Sequence, residues 1–285
     1  MKYFCTLSDY NYLNQGLVLY ESIQKHIDEF TLYYLCIDKI SYDKLIQLNL
    51  DSIIPMYVDD YQEFKKECEL YNEYCWSLAS RLLLYLVCNK NIKDILYVDS
   101  DICFYNDINI IYDEIGENSI GIVPHRLGHN RESSVGKYNV GIIYFKNNIC
   151  GKKCLNLWVN CVIDLNNKYK KQYGTHGDQK YLELFPIKFP LETCIIQNKV
   201  SYGAPWNFYI YDYNGFKEGN RIVKYKEKEY PFIFIHFSQF VCDYENNCYD
   251  LKSYDKESFL TIKAVKKIYN EYYILNKNIY KKYIL

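Results

Sequence analysis

Two aspartates separated by one residue form the strongest chemical signal in the sequence. Asp99 and Asp101 stand at the end of the apolar run DILYVDSD, residues 94–101, which is typical of a β-strand. Side chains at positions i and i+2 of a strand lie on one face, so both carboxylates could reach the same cation. Hard oxygen ligands suit Mg²⁺ or Mn²⁺, and an ion on an acidic pair keeps coordination positions for substrate phosphates. We therefore expect a divalent metal site that binds a phosphate-containing substrate.

The segments that precede this pair alternate between strand and helix patterns. Apolar runs typical of strands cover residues 2–7, 31–38, 52–58 and 94–101. Helical spacing is found over 13–27, over 41–48 with Ser41 as the predicted cap, and over 76–89. This alternation favours right-handed βαβ crossovers and an α/β fold with a mainly parallel sheet flanked by helices. Ligands of such sheets bind at the carboxyl ends of the strands, where the acidic pair lies.

Beyond residue 101 the alternation is less regular. Strand patterns cover 119–125, 138–145 and 232–238, and a helix is predicted over 152–168. Neither an internal repeat nor a Gly/Ser/Pro-rich linker interrupts the chain, so we expect one catalytic domain over 1–250. Residues 251–285 hold eight lysines against three acidic residues, with apolar positions near helical spacing. They predict a basic amphipathic helical tail that either packs on the domain or lies at an anionic membrane surface.

The composition excludes several classes of protein. Hydrophobic residues make up 49% and charged residues 24% of the chain, as in globular proteins. A net charge of -1 gives no basic field for a nucleic-acid backbone, so we expect no nucleic-acid partner. No apolar stretch approaches the roughly 18 to 20 residues that span a bilayer, and the start lacks a secretory signal, which predicts a cytoplasmic protein. The 12 cysteines are scattered and form no C-x-x-C pair, which favours reduced core thiols.

Four blocks of sequence, taken in their order and spacing, resemble GT-A fold glycosyltransferases, particularly the family 8-like nucleotide-sugar transferases. The blocks are FCTLSDYNYLNQGLVLYESI, SLASRLLLYLV leading into YVDSDICFY, the pair GIVPHR and YNVGIIYFK, and finally GDQKYL with FIFIHFS. The resemblance extends from about residue 2 to about residue 240. It implies the GT-A fold and the transfer of a sugar from a nucleotide diphosphate donor, UDP-linked, to a hydroxyl acceptor with retention of configuration.

The same resemblance implies roles for individual residues. Asp99, Asp101 and His236 would bind the ion that bridges the diphosphate, and the imidazole favours Mn²⁺ over Mg²⁺. Asp178 and Gln179 would lie at the reaction centre. The implied donor-binding residues are Thr6, Arg81, Asp99, Ser100, Asp101, Asn139 and Gly141.

The sequence departs from the family pattern after the late histidine. Family members often continue there with a glycine and a phosphate-gripping lysine, whereas His236 is followed by FSQFVC. The later segment APWN, residues 204–207, resembles an acceptor-side loop, and a buried tryptophan in a turn is an equal alternative. The implied acceptor is a glycan or a lipid-linked molecule at the inner membrane face, where a peripheral attachment through the tail would be useful.

Two other functions are compatible with a D-x-D motif after a strand. Phosphatases of the haloacid dehalogenase type use the first aspartate as nucleophile, but their motif lies near the chain start and continues into Thr or Val and a loop. Here Asp101 continues into the apolar ICFY, about a third of the way along the chain. An inactive GT-A fold that serves as a binding module is the other alternative, and the intact set of candidate site residues argues against it.

Overall fold

The computed structural model describes residues 1–65, 71–127, 135–163, 177–214, 216, 221–252 and 259–285. Its strands are β1 (Lys2–Ser8), β2 (Phe30–Cys36), β3 (Ile53–Tyr57), β4 (Asp94–Val98), β5 (Ile102–Phe104), β6 (Ile120–Pro124), β7 (Tyr138–Lys146), β8 (Thr193–Ile195), β9 (Ser201–Gly203), β10 (Ile222–Tyr225), β11 (Lys228–His236), β12 (Phe240–Asp243) and β13 (Cys248–Leu251). Its α-helices are α1 (Tyr10–Gln24), α2 (Lys39–Leu48), α3 (Tyr71–Asn89), α4 (Asn109–Ile115), α5 (Ile149–Val162), α6 (Leu184–Lys188) and α7 (Lys263–Ile279).

A seven-stranded sheet forms the central layer, in the order β3-β2-β1-β4-β7-β6-β8. β1 pairs in parallel with β2 and β4, β2 pairs in parallel with β3, and β6 pairs in parallel with β8. Only β7 runs antiparallel to its neighbours β4 and β6. The sheet is thus mainly parallel and flanked by helices, which confirms the predicted α/β fold class.

The acidic pair lies in a turn between two sheets. β4 ends at Val98 and β5 begins at Ile102, so the strand predicted over 94–101 stops before the aspartates. β5 belongs to a second sheet, in which it pairs with β11. The amide of Ile102 donates to the carbonyl of Asp99 at 3.1 Å and closes the turn. The prediction that a continuous strand puts both carboxylates on one face was therefore wrong, because the chain changes sheets at this point.

Two helix boundaries differ from the prediction for local reasons. α2 begins at Lys39, and its cap is Asp38, whose carboxylate accepts from the amide of Ser41 at 2.8 Å. The predicted Ser41 cap was wrong because an aspartate three residues earlier accepts the free amide at the helix start. The helix predicted over 152–168 is observed as α5, and residues 164–176 lie outside the described residues.

The core has two parts, one on each face of the central sheet. Leu96 and Tyr97 of β4 are both buried and belong to opposite parts, as expected for a strand covered on two faces. One face is covered by α3 and α5 through Leu82 and Trp158. The other is covered by α1 and the second sheet, and α7 is part of this layer.

The predicted C-terminal helical tail packs on the domain. Val265, Ile268 and Tyr269 of α7 are at most 1% exposed and share a core with α1. The side-chain amide of Asn14 on α1 donates to the backbone carbonyl of Asn276 at 3.1 Å. The apolar face of the helix is therefore used within the protein, while the lysines of its other face stay exposed.

Two further expectations concern cysteines and membrane helices. The described cysteines are all free thiols, and burial raises the pKa of the Cys5 and Cys36 thiols, which keeps them unreactive. Among the helices of the described ranges, none combines the length and the apolar character that a membrane crossing needs.

Candidate active site

Three potential metal ligands converge at the carboxyl end of β4. The antiparallel pairing of β11 with β5 sets His236 opposite Ile102, directly beside the acidic turn. Its Nε2 lies 3.1 Å from Asp101 Oδ1 and 3.7 Å from Asp99 Oδ2. One ligand atom from each of the three side chains can be chosen so that all lie within 4.8 Å of one another. The structure thus brings together the three residues predicted to bind the metal.

The charges of this cluster favour a cation. Burial raises the pKa of Asp99 and the neighbouring Asp101 adds to the rise, while His236 and the Tyr97 hydroxyl oppose it. Burial by itself would lower the pKa of His236, but Asp101 and Asp99 outweigh it, so this pKa is raised. The two carboxylates thus favour positive charge at this position, and a divalent cation would supply it.

The donor set fits a divalent ion. The Tyr97 hydroxyl donates to Asp99 Oδ1 at 2.7 Å, which leaves Oδ2 toward the histidine. Two carboxylates and one imidazole leave further coordination positions for diphosphate oxygens and water. The imidazole makes the set better suited to Mn²⁺ than to Mg²⁺.

Asn139 and Gly141, on the neighbouring strand β7, support the cluster. The Asp99 amide donates to the carbonyl of Gly141 at 2.9 Å, which attaches the acidic turn to β7. Asn139 Oδ1 accepts from the Gly141 amide at 2.9 Å and lies 3.3 Å from Nδ1 of His236. A Cβ atom on Gly141 would lie 2.6 Å from Asn139 Oδ1 and 2.7 Å from His236 Nδ1, closer than real contacts allow. Glycine is therefore required where amide and imidazole meet.

Asp178 and Gln179 lie at the start of the short 3₁₀ helix Gln179–Glu183. Asp178 is only 5% exposed. Burial, with a smaller contribution from the charge of Asp99, raises the pKa of its carboxyl to about 8. Gln179 lines the cleft, and its side chain lies beside His125. Gln179 thus lies in the same cleft as the acidic cluster. The buried Asp178 is not among the lining residues, but it lies close enough to Asp99 for that charge to affect its pKa.

Thr6 and Arg81 are not among the residues that line this cleft. Thr6 is completely buried two residues before the end of β1, and its hydroxyl has no hydrogen-bond partner. The Arg81 guanidinium donates to the backbone carbonyls of Glu63 at 2.7 Å and Lys65 at 2.9 Å. The arginine thus holds the segment that follows β3 through two hydrogen bonds, a structural role that the several N–H donors of a guanidinium commonly serve.

The cleft has a volume of about 690 Å³ and opens at the carboxyl ends of β1 and β4. Ser100 and Asn139 line it, together with the metal-ligand candidates. Several other lining residues had no role assigned from the sequence, among them Ser8, Asp9, Tyr12, Trp76 and His125. Asp9 and Tyr12 follow β1 directly, so the rule that ligands bind at carboxyl ends of strands could have identified them. Trp206, from the predicted acceptor-side loop, lines the cleft as well.

Sequence comparison finds two similar proteins of Bacillus subtilis (strain 168). The uncharacterized protein YfnD is 24% identical over 290 residues, which cover 96% of this chain and 88% of YfnD. The uncharacterized protein YfnF is 27% identical over 252 residues, which cover 82% of this chain and 80% of YfnF. No protein-family model matches the sequence.

Structure comparison identifies the fold. The galactosyltransferase LgtC aligns with a TM-score of 0.52 and 15% identity, over 91% of this chain and 94% of LgtC. Mouse xyloside xylosyltransferase 1 aligns with a TM-score of 0.52 and 11% identity, over 83% of this chain and 97% of that protein. The chain therefore has the GT-A fold of nucleotide-sugar transferases, as its sequence blocks predicted.

Proposed function

We propose that this protein is an Mn²⁺-dependent glycosyltransferase that moves a sugar from a UDP-linked donor to a hydroxyl acceptor with retention of configuration. The observation that supports this most directly is the cluster of Asp99, Asp101 and His236, whose ligand atoms lie within 4.8 Å in the cleft of a GT-A fold. LgtC, which has the same fold, is described in complex with donor and acceptor sugar analogs. A cleft of about 690 Å³ is within the range that accommodates such ligands.

The chemical difficulty of this reaction is the departure of a charged diphosphate. A divalent ion held by Asp99, Asp101 and His236 would neutralise negative charge as the bond between the sugar and the diphosphate breaks. Tyr97 orients the Asp99 carboxylate by its hydrogen bond, and the amide of Asp99 is fixed by β7. These contacts hold the ligands in place before the donor arrives, which lowers the cost of reorganisation during the reaction.

Asp178 and Gln179 are the residues that we assign to the sugar. Burial and, to a smaller extent, the charge of Asp99 raise the pKa of Asp178, and a divalent ion held by Asp99, Asp101 and His236 would oppose the second effect and favour the ionised carboxylate. The carboxylate then stabilises positive charge at the anomeric carbon, and the Gln179 amide holds the donor sugar by hydrogen bonds.

Retention can follow from two routes that these residues allow. In front-face substitution the acceptor oxygen bonds to the anomeric carbon as the bond to diphosphate breaks, and the hydroxyl proton passes to a phosphate oxygen. In a double displacement Asp178 bonds to the anomeric carbon as the nucleoside diphosphate leaves, and the acceptor oxygen then displaces the carboxylate while the hydroxyl proton passes to a phosphate oxygen of the diphosphate. A covalent glycosyl adduct on Asp178, detected by mass spectrometry after reaction with donor alone, would select the second route.

The two alternative functions are less compatible with the structure. A haloacid dehalogenase nucleophile must face its substrate phosphate directly, whereas both carboxylates here face the same imidazole and can bind a common ion. The GT-A fold also favours the transferase over that phosphatase. An inactive binding module would have no need of the buried Asp178, which carries a raised pKa in the same site.

The test is a panel of nucleotide sugars, with nucleotide release and thermal stabilisation measured in Mn²⁺, Mg²⁺ and EDTA. We expect slow hydrolysis of one UDP-sugar in Mn²⁺, less in Mg²⁺ and none in EDTA. Asp60→Asn, an exposed aspartate outside the cleft, is the matched control for Asp99→Asn. If no nucleotide sugar is hydrolysed or stabilises the protein with either ion, the proposed function is wrong.

We further propose that the acceptor is a glycan or a lipid-linked molecule, and that α7 attaches the protein to an anionic membrane surface. The buried apolar face of α7 leaves the exposed Lys263 and Lys266 for this contact, while the exposed Lys267 pairs with Glu271 at 3.7 Å. Each lysine near such a surface contributes about 1 kcal/mol, or about a fivefold change in binding.

This attachment is tested on the full chain, because removing α7 would open the core. We expect Lys266→Gln to reduce sedimentation with anionic vesicles at low salt about fivefold, while Lys188→Gln on α6 has no effect. Equal sedimentation of both variants and the parent protein would exclude α7 as the attachment.

A further inference from the structure

His125 is a buried residue of the cleft whose role the proposed chemistry leaves open. It follows β6, is 4% exposed, and its backbone is held on both sides. Its amide donates to the carbonyl of Lys137 at 2.8 Å. Its carbonyl accepts from the Tyr202 hydroxyl at 3.0 Å and from Trp206 Nε1 at 3.1 Å. The surrounding loop thus fixes the position of this imidazole.

The hydrogen bonds of the His125 ring determine which nitrogen carries its proton. Nδ1 lies 2.7 Å from the carbonyl of Gly136, which can only accept, so Nδ1 is the protonated nitrogen. Nε2 is then an acceptor, and it lies 3.2 Å from Nδ2 of Asn139, which can only donate. Burial lowers the pKa of His125 to about 4, so the ring is neutral near pH 7.

This arrangement sets the orientation of the Asn139 amide. With Nδ2 toward His125, the oxygen Oδ1 faces the Gly141 amide at 2.9 Å and His236 Nδ1 at 3.3 Å. A reversed amide would set its oxygen against the lone pair of His125 Nε2 and its NH₂ group against the Gly141 amide. Both contacts would then be unfavourable, so His125 and Gly141 select the same orientation.

The orientation of the amide in turn determines the tautomer of His236. Asn139 Oδ1 can only accept, so it holds the proton of His236 on Nδ1. Nε2, which lies beside Asp101 Oδ1 and Asp99 Oδ2, then presents its lone pair to an ion. Histidines that bind metals commonly donate their other ring N–H to such a partner, which fixes the ring and raises its basicity.

We infer that His125 is a positioning residue that acts through Asn139 to hold His236 in its metal-binding tautomer. The inference rests on the proposed metal-dependent function. It adds a residue that contacts neither the metal ligands' donor atoms nor the reacting groups, but whose ring completes a chain of hydrogen bonds from Gly136 to the ion site.

The first test measures the affinity of the full chain for Mn²⁺ alone, from the electron paramagnetic resonance signal of free Mn²⁺. We expect His125→Phe, which keeps an aromatic ring against Trp206, to weaken binding about 10- to 100-fold. His26→Phe, at a half-buried histidine outside the cleft, is the matched control and should bind as the parent protein does. Parent-like affinity of His125→Phe would overturn the inference.

A double-mutant cycle distinguishes positioning from a general structural effect. If His125 acts through Asn139, His125→Phe should cause no further loss of Mn²⁺ affinity in a chain that already carries Asn139→Ala. The same loss in both backgrounds would overturn the inference. Failure of the parent protein to bind Mn²⁺ would instead refute the proposed function.

A measurement on the parent protein keeps the inference testable if the variants do not fold. Nitrogen NMR of ¹⁵N-histidine-labelled protein reports the tautomer of each ring. We expect His125 to be protonated on Nδ1 in the metal-free protein, and His236 to be protonated on Nδ1 with Mg²⁺ bound. A proton on Nε2 of His125, or on Nε2 of His236 with Mg²⁺ bound, would contradict the inference.

Discussion

The first hundred residues and the last hundred contribute to one site by different routes. Strands β1 to β4 pair in parallel and are separated by helices, so each element packs against others close to it in sequence. The C-terminal strands β9 and β11 instead join β5, and α7 packs on α1. The Gln15 side chain donates to the carbonyl of Phe240 at 2.8 Å, across 225 positions. The late segments thus complete a core that the early segments begin.

The early and late regions differ in what they contribute to stability and to the candidate site. The early region supplies Asp99 and Asp101, whose burial near one another opposes folding because their negative charges have lost water. The late region supplies His236 and much of the apolar surface that covers α1. The candidate metal site needs residues from both regions, so we expect the loss of either region to abolish Mn²⁺ binding.

The largest expected effect is at the acidic turn. Asp99→Asn and Asp101→Asn each remove a charged candidate ligand, so we expect Mn²⁺ affinity to fall by more than about 100-fold. This exceeds the loss typical of residues that only hydrogen-bond to a metal ligand. The melting temperature in EDTA should not fall, since less charge is buried. Calorimetric titration with Mn²⁺ and thermal denaturation measure the two quantities. Parent-like Mn²⁺ affinity in either variant would refute the metal assignment.

The contribution of the late region to stability can be measured on α7. Ile268→Ala opens a cavity at a residue that is 1% exposed, so we expect a loss of about 2 to 5 kcal/mol in the free energy of unfolding. Ile274→Ala, on the same helix at 56% exposure, should change it by less than about 0.5 kcal/mol. Urea unfolding followed by fluorescence and circular dichroism should show one transition. Two separate transitions would mean that the regions fold independently.

Substitution of His236 tests whether the late region contributes a ligand to the candidate metal site. We expect His236→Ala to weaken Mn²⁺ binding about 10- to 100-fold while the two aspartates still bind the ion weakly. Because the pKa of His236 is raised by Asp101 and Asp99, protons compete with the ion, and Mn²⁺ affinity of the parent protein should fall as the pH is lowered. Parent-like affinity of the alanine variant would make His236 an ordinary buried histidine.

The smallest expected effect is a gain of stability at Asp178. Its pKa of about 8 in the folded protein lies above the value of the unfolded chain, near 4. The folded state therefore binds a proton that the unfolded state has lost, and stability falls as the pH rises from about 4 to about 8. Asp178→Asn avoids this loss, so at pH 8 we expect its melting temperature to be higher than that of the parent protein.

The matching control for Asp178→Asn is the same measurement at low pH. Below about pH 4 the Asp178 carboxyl of the parent protein is protonated in both the folded and the unfolded state, so the gain should disappear. Thermal denaturation in EDTA at pH 4 and pH 8 gives both values, and a gain that is independent of pH would exclude titration of Asp178 as its cause. Sugar transfer by the same variant should be slower. That result would show that Asp178 lowers the stability of the folded protein at high pH but is needed for the reaction.

Much of the architecture and the candidate metal ligands were predicted from the sequence. Strands β1 to β4 and helices α1 and α3 were predicted within a few residues, because hydrophobic periodicity is a local property that burial on one or two faces imposes. The acidic pair was identified by its place after a buried strand, where parallel sheets bind ligands. His236, Asn139 and Asp178 were identified only through the resemblance to GT-A transferases, and the structure brings them to the acidic pair.

Tertiary structure alone decided what the polar side chains do. Arg81 and Thr6 have residue types that suit a donor site, but the first is engaged by two backbone carbonyls and the second is completely buried. The turn at Asp99 exists because β5 joins a sheet whose other strands come more than 90 positions later. The bonds from His125 to Asn139 and from Asn139 to His236 span 14 and 97 positions. A residue's type sets which hydrogen bonds it can make, but its partners are set by long-range packing, which a local pattern does not encode.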